Sequence, residues 1–206
     1  AGNSGIDASS MTPANLQGVI VVGALGAAKE LAPYSDYGAL VSVVAPGGNF
    51  SRRGAPADGV LSVQGCGVSG TDLGSNNTLE GGSALPCSGA NQPGSGYLQG
   101  TSMSSPHVAG VVALMMSRSA ALLNPPSPLE ADRNWARVLS YLRDTSSLSG
   151  VTNCERGCGA GLVDASAAVT RAAALPAIGA LTVLADPVAG VNLGTQKSSA
   201  QFTLKN

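Results

Sequence analysis

The sequence predicts an α/β fold, and three patterns carry that reading. Gly18 to Ala24 (GVIVVGA) is one uninterrupted apolar, Val-rich run, and Leu40 to Ala45 is a second. Runs of this length without alternation suit parallel strands buried on both faces. Val108, Val111, Val112 and Met115 then fall at i, i+3, i+4 and i+7, the spacing of a helix with one buried stripe.

The other elements follow in order. Residues 49–96 form a long stretch with few apolar side chains, bracketed internally by Cys66 and Cys87. A loop of that length is uncommon in a domain unless it is functional, disordered or stapled, and the cysteine pair predicts a stapled insertion. Asn124-Pro125-Pro126-Ser127-Pro128 is a stop and turn. Trp135, Val138, Leu139 and Leu142 again repeat at helical spacing and predict a core face. Beyond about Leu175 the texture changes, and Val183 through Leu204 reads as short strands.

Composition narrows the function. Glycine makes up 28 of 206 residues, about double the usual ~7% share. Only 11% of residues are charged and the net charge is −1, so there is no basic cluster to hold nucleic acid or an anionic membrane. No apolar run reaches the ~18–20 residues that span a bilayer. Four cysteines with low charge point to an oxidising compartment. Their spacings match no zinc pattern, which leaves no metal site on cysteine. Of the three pairings open to four cysteines, two local disulfides are expected, Cys66 with Cys87 and Cys154 with Cys158.

The most informative stretch is Gly100-Thr101-Ser102-Met103-Ser104-Ser105-Pro106-His107-Val108-Ala109-Gly110. It sets Ser102 at the start of the apolar helix, where unpaired N–H groups and the positive dipole end favour a developing oxyanion. A serine in that place is ordinarily only a cap. Here the ordered string runs eleven residues and accepts Pro106 inside the helix, with loss of a backbone hydrogen bond. Ala109 and Gly110 are small enough to admit a close neighbour. The string closely resembles the nucleophile motif of the subtilases, the subtilisin-like serine proteases.

That resemblance extends over roughly residues 1–174, through Ala1-Gly2-Asn3, the turn Tyr34-Ser35-Asp36-Tyr37-Gly38, Ala45-Pro46-Gly47 and Gly161-Leu162-Val163-Asp164-Ala165. It implies a doubly wound, mostly parallel sheet with helices on both faces, of which this chain is the C-terminal part. Residues 175–206 would then be a β extension or the start of an immunoglobulin-like module. By the same resemblance Ser102 is the nucleophile of a secreted serine endopeptidase, and Asn3 donates its amide to the oxyanion beside the Ser102 N–H. Ala1 and Gly2 line one wall of the substrate pocket, with Ser4 at its rim, Met11 near its base and Thr101 beside the nucleophile. The Thr12–Pro13 bond aligns with one that is cis in relatives.

The resemblance also exposes gaps. Such chemistry needs a base and an orienting carboxylate, yet His107 is the single histidine. Five residues along a helix places it about 140° around and about 7.5 Å along from Ser102, so it reads as structural. The aspartate and histidine are expected upstream, making an N-terminal segment of the same precursor a partner alongside protein or peptide substrates. No cofactor is required. Calcium enters only as a stabilising ion, and Ser42 stands where many relatives place a calcium-binding aspartate. The competing reading is a non-catalytic secreted module, a pseudoprotease or adhesion domain on the same scaffold. Retention of both Ser102 and Asn3 argues against it.

Overall fold

In the computed structural model the two apolar runs lie side by side. β1 (Val22–Leu25) and β2 (Val43–Pro46) pair in parallel, with Val22 opposite Val43 and Leu25 opposite Pro46. The structure describes residues 1–50, 58–65, 93–123 and 128–175. Successive side chains of a strand point to opposite faces. Val22, Val43 and Ala45 enter one core while Val21, Leu25 and Val44 enter another. Both faces are covered, so every position must be apolar, and the run reads as continuous rather than alternating.

A third segment extends the sheet beyond β2. The Val44 N–H donates to Gly161 O at 2.9 Å and the Val163 N–H to Val44 O at 3.0 Å. Leu162 in turn exchanges two hydrogen bonds with Ser147, at 2.9 and 3.1 Å.

The first core belongs to the helices. α1 (Thr101–Arg118) lays Val108, Val111 and Met115 on Val22, Val43 and Ala45. Leu122 of α2 (Ala120–Leu123), Val138 and Leu142 of α3 (Pro128–Thr145), and Ala168 and Ala172 of α4 (Ala165–Ala173) complete it. The Asp164 carboxylate caps α4 by accepting the Ala167 N–H at 2.9 Å, which satisfies one donor of its first turn.

The opposite face is covered, among the described residues, by irregular chain rather than α-helix. Ala8 from the 3-10 turn Ala8–Ser10, Ala14, Leu31, Val41 and Cys158 pack there with Leu25 and Val44. Cys154 and Cys158 are joined by a disulfide, and the loop they close sends Gly157 O to the Gly38 N–H at 3.4 Å. The Thr12–Pro13 bond is cis.

Three details differ from the sequence reading. Trp135 is 39% exposed and borders an open groove of about 450 Å³ with Leu16 and Leu40, so the buried stripe of α3 is carried by Val138 and Leu142 instead. Ala109 and Gly110 are exposed, and among the described residues nothing lies within 4 Å of a Cβ placed on Gly110. The ends of the 49–96 stretch form strands that its composition did not announce. β3 (Val60–Gly65) pairs antiparallel with β4 (Pro93–Leu98), Val60 opposite Leu98 and Gly65 opposite Pro93. Cys66, Cys87 and the expected extension at 176–206 lie outside the described residues.

Leu142 has no exposed surface and touches the centre of the helical core. Leu142→Ala is expected to destabilise the protein by about 2–5 kcal/mol, read from denaturant unfolding. A loss under about 1 kcal/mol would show that the core can close over the gap.

Candidate active site

The start of α1 is built to stay open. Its capping position is Gly100, with φ 147° and ψ 162°, and no side chain caps the helix. That backbone conformation is strained for any residue with a Cβ. The N–H groups at this start divide between a distant segment and the cap itself. Gly100 N–H donates to Gly47 O at 2.8 Å. Met103 and Ser104 N–H turn back to Gly100 O at 3.0 and 3.4 Å, which leaves the Ser102 N–H ahead of the helical ladder.

Two side chains fix this turn to the sheet. Ser104 is fully buried and its hydroxyl donates to Ala45 O, at the end of β2, at 3.1 Å. Tyr34 donates its phenol to Gly47 O at 2.9 Å and Gly48 O at 2.6 Å. Burial pushes the Tyr34 phenol far above its ordinary value, so it remains a donor throughout the range in which proteins fold. Between these anchors Ser102 is exposed.

Asn3 meets this helix start across 98 positions of sequence. Its Oδ1 accepts from the Thr101 N–H at 2.9 Å and from the Thr101 hydroxyl at 2.9 Å. A backbone N–H only donates, so the atom facing it must be the amide oxygen, and Nδ2 is the end left for another acceptor. The position of a Cβ on Gly100, empty in glycine, lies 3.4 Å from Asn3 Nδ2 and 3.6 Å from Ser102 N. Asn3 Nδ2 and the Ser102 backbone nitrogen therefore border the same point, the position that a side chain at Gly100 would take. No acidic residue occupies the first turn of α1, so its positive end is not neutralised there.

The other expected pocket residues surround this point unevenly. Gly2 N–H donates to Thr101 Oγ1 at 3.3 Å, and the Ala1 nitrogen donates to Val22 O at 2.8 Å. Ala1 and Met11 are half-buried against the second core, while Ser4 is exposed. His107 is exposed and its Nδ1 lies 2.8 Å from Met103 O, one turn back along the same helix. The disulfide pair belongs to the far side of the Tyr34–Gly38 turn. Sequence reading gave no individual task to Tyr34, Asp36 or Ser104. No local signal marked them, since Asp36 lies between Ser35 and Tyr37 and Ser104 lies in a hydroxyl-rich run.

Ser42 is buried and its hydroxyl accepts the Val21 N–H at 3.3 Å, a neutral group already engaged. Among the described residues no cluster of three or more histidine, cysteine, aspartate or glutamate side chains is placed to hold a metal ion. Those residues do not fit a calcium site at Ser42.

Residues 1–161 match the model of the subtilase family. The chain belongs to the subtilase family. It is 37% identical over 173 residues to an extracellular protease of Xanthomonas campestris pv. campestris, covering 84% of this chain and 23% of that protein. It is 34% identical to an extracellular basic protease of Dichelobacter nodosus, covering 82% and 22%. The chain thus spans less than a quarter of the length of these two subtilase relatives. A protease from Pseudoalteromonas arctica PAMC 21717 superposes with a TM-score of 0.60 at 33% identity, covering 84% of this chain and 41% of that one. Among the described residues no helix of this subtilase chain is long and apolar enough to cross a membrane.

The Tyr34 phenol gives the site a separate test. Tyr34→Phe removes a donor from two turn carbonyls, with an expected loss of about 1–3 kcal/mol in unfolding free energy. Amide exchange at Gly100 should quicken in the same variant, because its acceptor Gly47 O loses the restraint. Unchanged exchange there would mean that the turn holds itself.

Proposed function

We propose that this chain supplies the nucleophile and the oxyanion hole of a secreted serine endopeptidase. The observation that carries the reading is the double engagement of Asn3 Oδ1 by Thr101. It commits the amide to one orientation and leaves Nδ2 as a donor beside Ser102. A scaffold without chemistry has no need for a fixed, unused donor at an open helix start. The names of the two relatives, an extracellular protease and an extracellular basic protease, favour secretion and proteolysis over a binding role.

In this reading the Ser102 hydroxyl adds to the carbonyl carbon of a peptide bond while a base takes its proton. The carbonyl oxygen gains the negative charge, and Asn3 Nδ2 and the Ser102 N–H stabilise it. The tetrahedral adduct collapses as the leaving amine receives the proton, and an acyl ester forms on Ser102. Water then attacks that ester and the acid product leaves. His107 does not fit the base, since its ring turns to the Met103 carbonyl. A histidine with its orienting aspartate would come from the preceding segment of the same precursor. Protein or peptide chains are the substrates, and no step calls for a cofactor.

Two substitutions in the full-length protein test this. Ser102→Ala is expected to abolish peptide hydrolysis with secretion and thermal stability little changed. Asn3→Ala is expected to lower kcat by about 10²–10³, the range measured for an oxyanion donor in a member of this family, with KM nearly constant. A fluorophosphonate probe should label Ser102 in the full-length protein and leave the isolated 206 residues unlabelled. Strong labelling of the isolated chain would place a working base within it.

A further inference from the structure

Asn3 sits in a loop without regular structure, and the bonds that hold that loop converge on one side chain. Asp36 is buried with no exposed surface. Its Oδ1 accepts the Ser4 N–H at 2.9 Å and the Ile6 N–H at 3.1 Å. Its own N–H donates to Gly2 O at 3.0 Å. Residues 2, 4 and 6 are thus tied to Asp36, and Asn3 lies between two of them. Two further ties run through the same turn, from Gly5 N–H to Tyr34 O at 2.9 Å and from Tyr37 N–H to Ile6 O at 3.0 Å, while Gly2 N–H and Asn3 Oδ1 bond to Thr101.

The second carboxylate oxygen explains the glycine beside Asn3. Asp36 Oδ2 has no hydrogen-bond partner in the structure and occupies the space that a side chain at position 2 would need. Gly2 has φ 134°, a conformation that a residue with a Cβ reaches only with strain. Loop and acid are therefore matched. The glycine lets the backbone close over the carboxylate, and the carboxylate takes the N–H groups that the irregular loop would otherwise bury unpaired.

We propose that Asp36 is a positioning residue for the oxyanion donor, holding the backbone on both sides of Asn3 so that Nδ2 stays beside Ser102. This rests on the reading of Asn3 and Ser102 given above. Asp36 touches neither substrate nor the reacting atoms and acts only through Asn3. A carboxyl side chain suits the task because one of its oxygens accepts two N–H bonds at once.

The test is a double-mutant cycle in the full-length protein, read as kcat and KM on a chromogenic peptide amide. Asp36→Ala is expected to lower kcat by about 10–100-fold, the scale of a small misplacement of a catalytic group, with KM within about threefold. Asp36→Asn, which keeps an accepting oxygen, should restore kcat to within about threefold of wild type. In the Asn3→Ala background, Asp36→Ala should cost less than about twofold more, because coupled residues do not add. An unchanged fold-loss in that background overturns the proposal, as does a loss carried by KM. If Asp36→Ala does not accumulate as folded protein, Asp36→Ser, which keeps one acceptor, runs the same cycle to the same criteria. An Asn3→Ala variant with wild-type kcat removes the oxyanion reading and this proposal together, whereas an impaired Asn3→Ala with additive losses removes this proposal alone.

Discussion

The described structure is organised around a helix start at which two N–H donors, those of Gly100 and Thr101, are taken by other segments of the chain. A helix N-terminus leaves several N–H groups without partners, and an ordinary one closes them with a local cap. Here Gly100 offers no cap, Gly47 O takes one N–H and Asn3 Oδ1 takes another. Those acceptors come from the end of β2 and from a loop almost a hundred residues earlier. The same bonds that quiet the helix end also bring Asn3 and Ser102 together.

This arrangement asks much of the sheet beneath it. α1 rests on β1 and β2 through Val108, Val111 and Met115, while its first turn is fastened to β2 by the buried Ser104 hydroxyl. A shift of the helix along its axis would break the apolar contact and the polar fastening together. The opposite face contributes through the Tyr34–Gly38 turn, which reaches the Asn3 loop on one side and the disulfide-closed segment on the other, where Arg156 lies 5.0 Å over the Tyr37 ring. The two cores therefore converge on one functional edge from either side of the same two strands.

The parts of this design legible in the sequence were those with a period or a motif. The apolar runs of β1 and β2 and the α1 stripe follow from burial, and burial shows in residue type. Ser102 and Asn3 were singled out because a resemblance linked them, since no local property of Asn3 distinguishes it from a turn asparagine. Trp135 was misplaced because helical spacing marks a face without saying how far that face is covered. β3 and β4 were missed because they are short segments, Val60–Gly65 and Pro93–Leu98, at the ends of a long stretch poor in apolar residues. Asp36 was passed over for a related reason: its importance lies in which N–H groups it receives, and those belong to residues 4 and 6.

The bonds around Asn3 bear also on chemical ageing. Asparagine deamidates when the backbone nitrogen of the next residue attacks the side-chain carbonyl carbon and closes a succinimide ring. In Asn3-Ser4 both partners of that reaction are restrained, the Ser4 N–H by Asp36 and the Asn3 carbonyl by Thr101. Where the ring opens to aspartate, and not to isoaspartate with its lengthened backbone, the resulting carboxylate still accepts both Thr101 bonds. In the reading proposed for Asn3, the Nδ2 donor would become a carboxylate oxygen. The network that orients the amide thus also restrains both groups through which that donor would be lost.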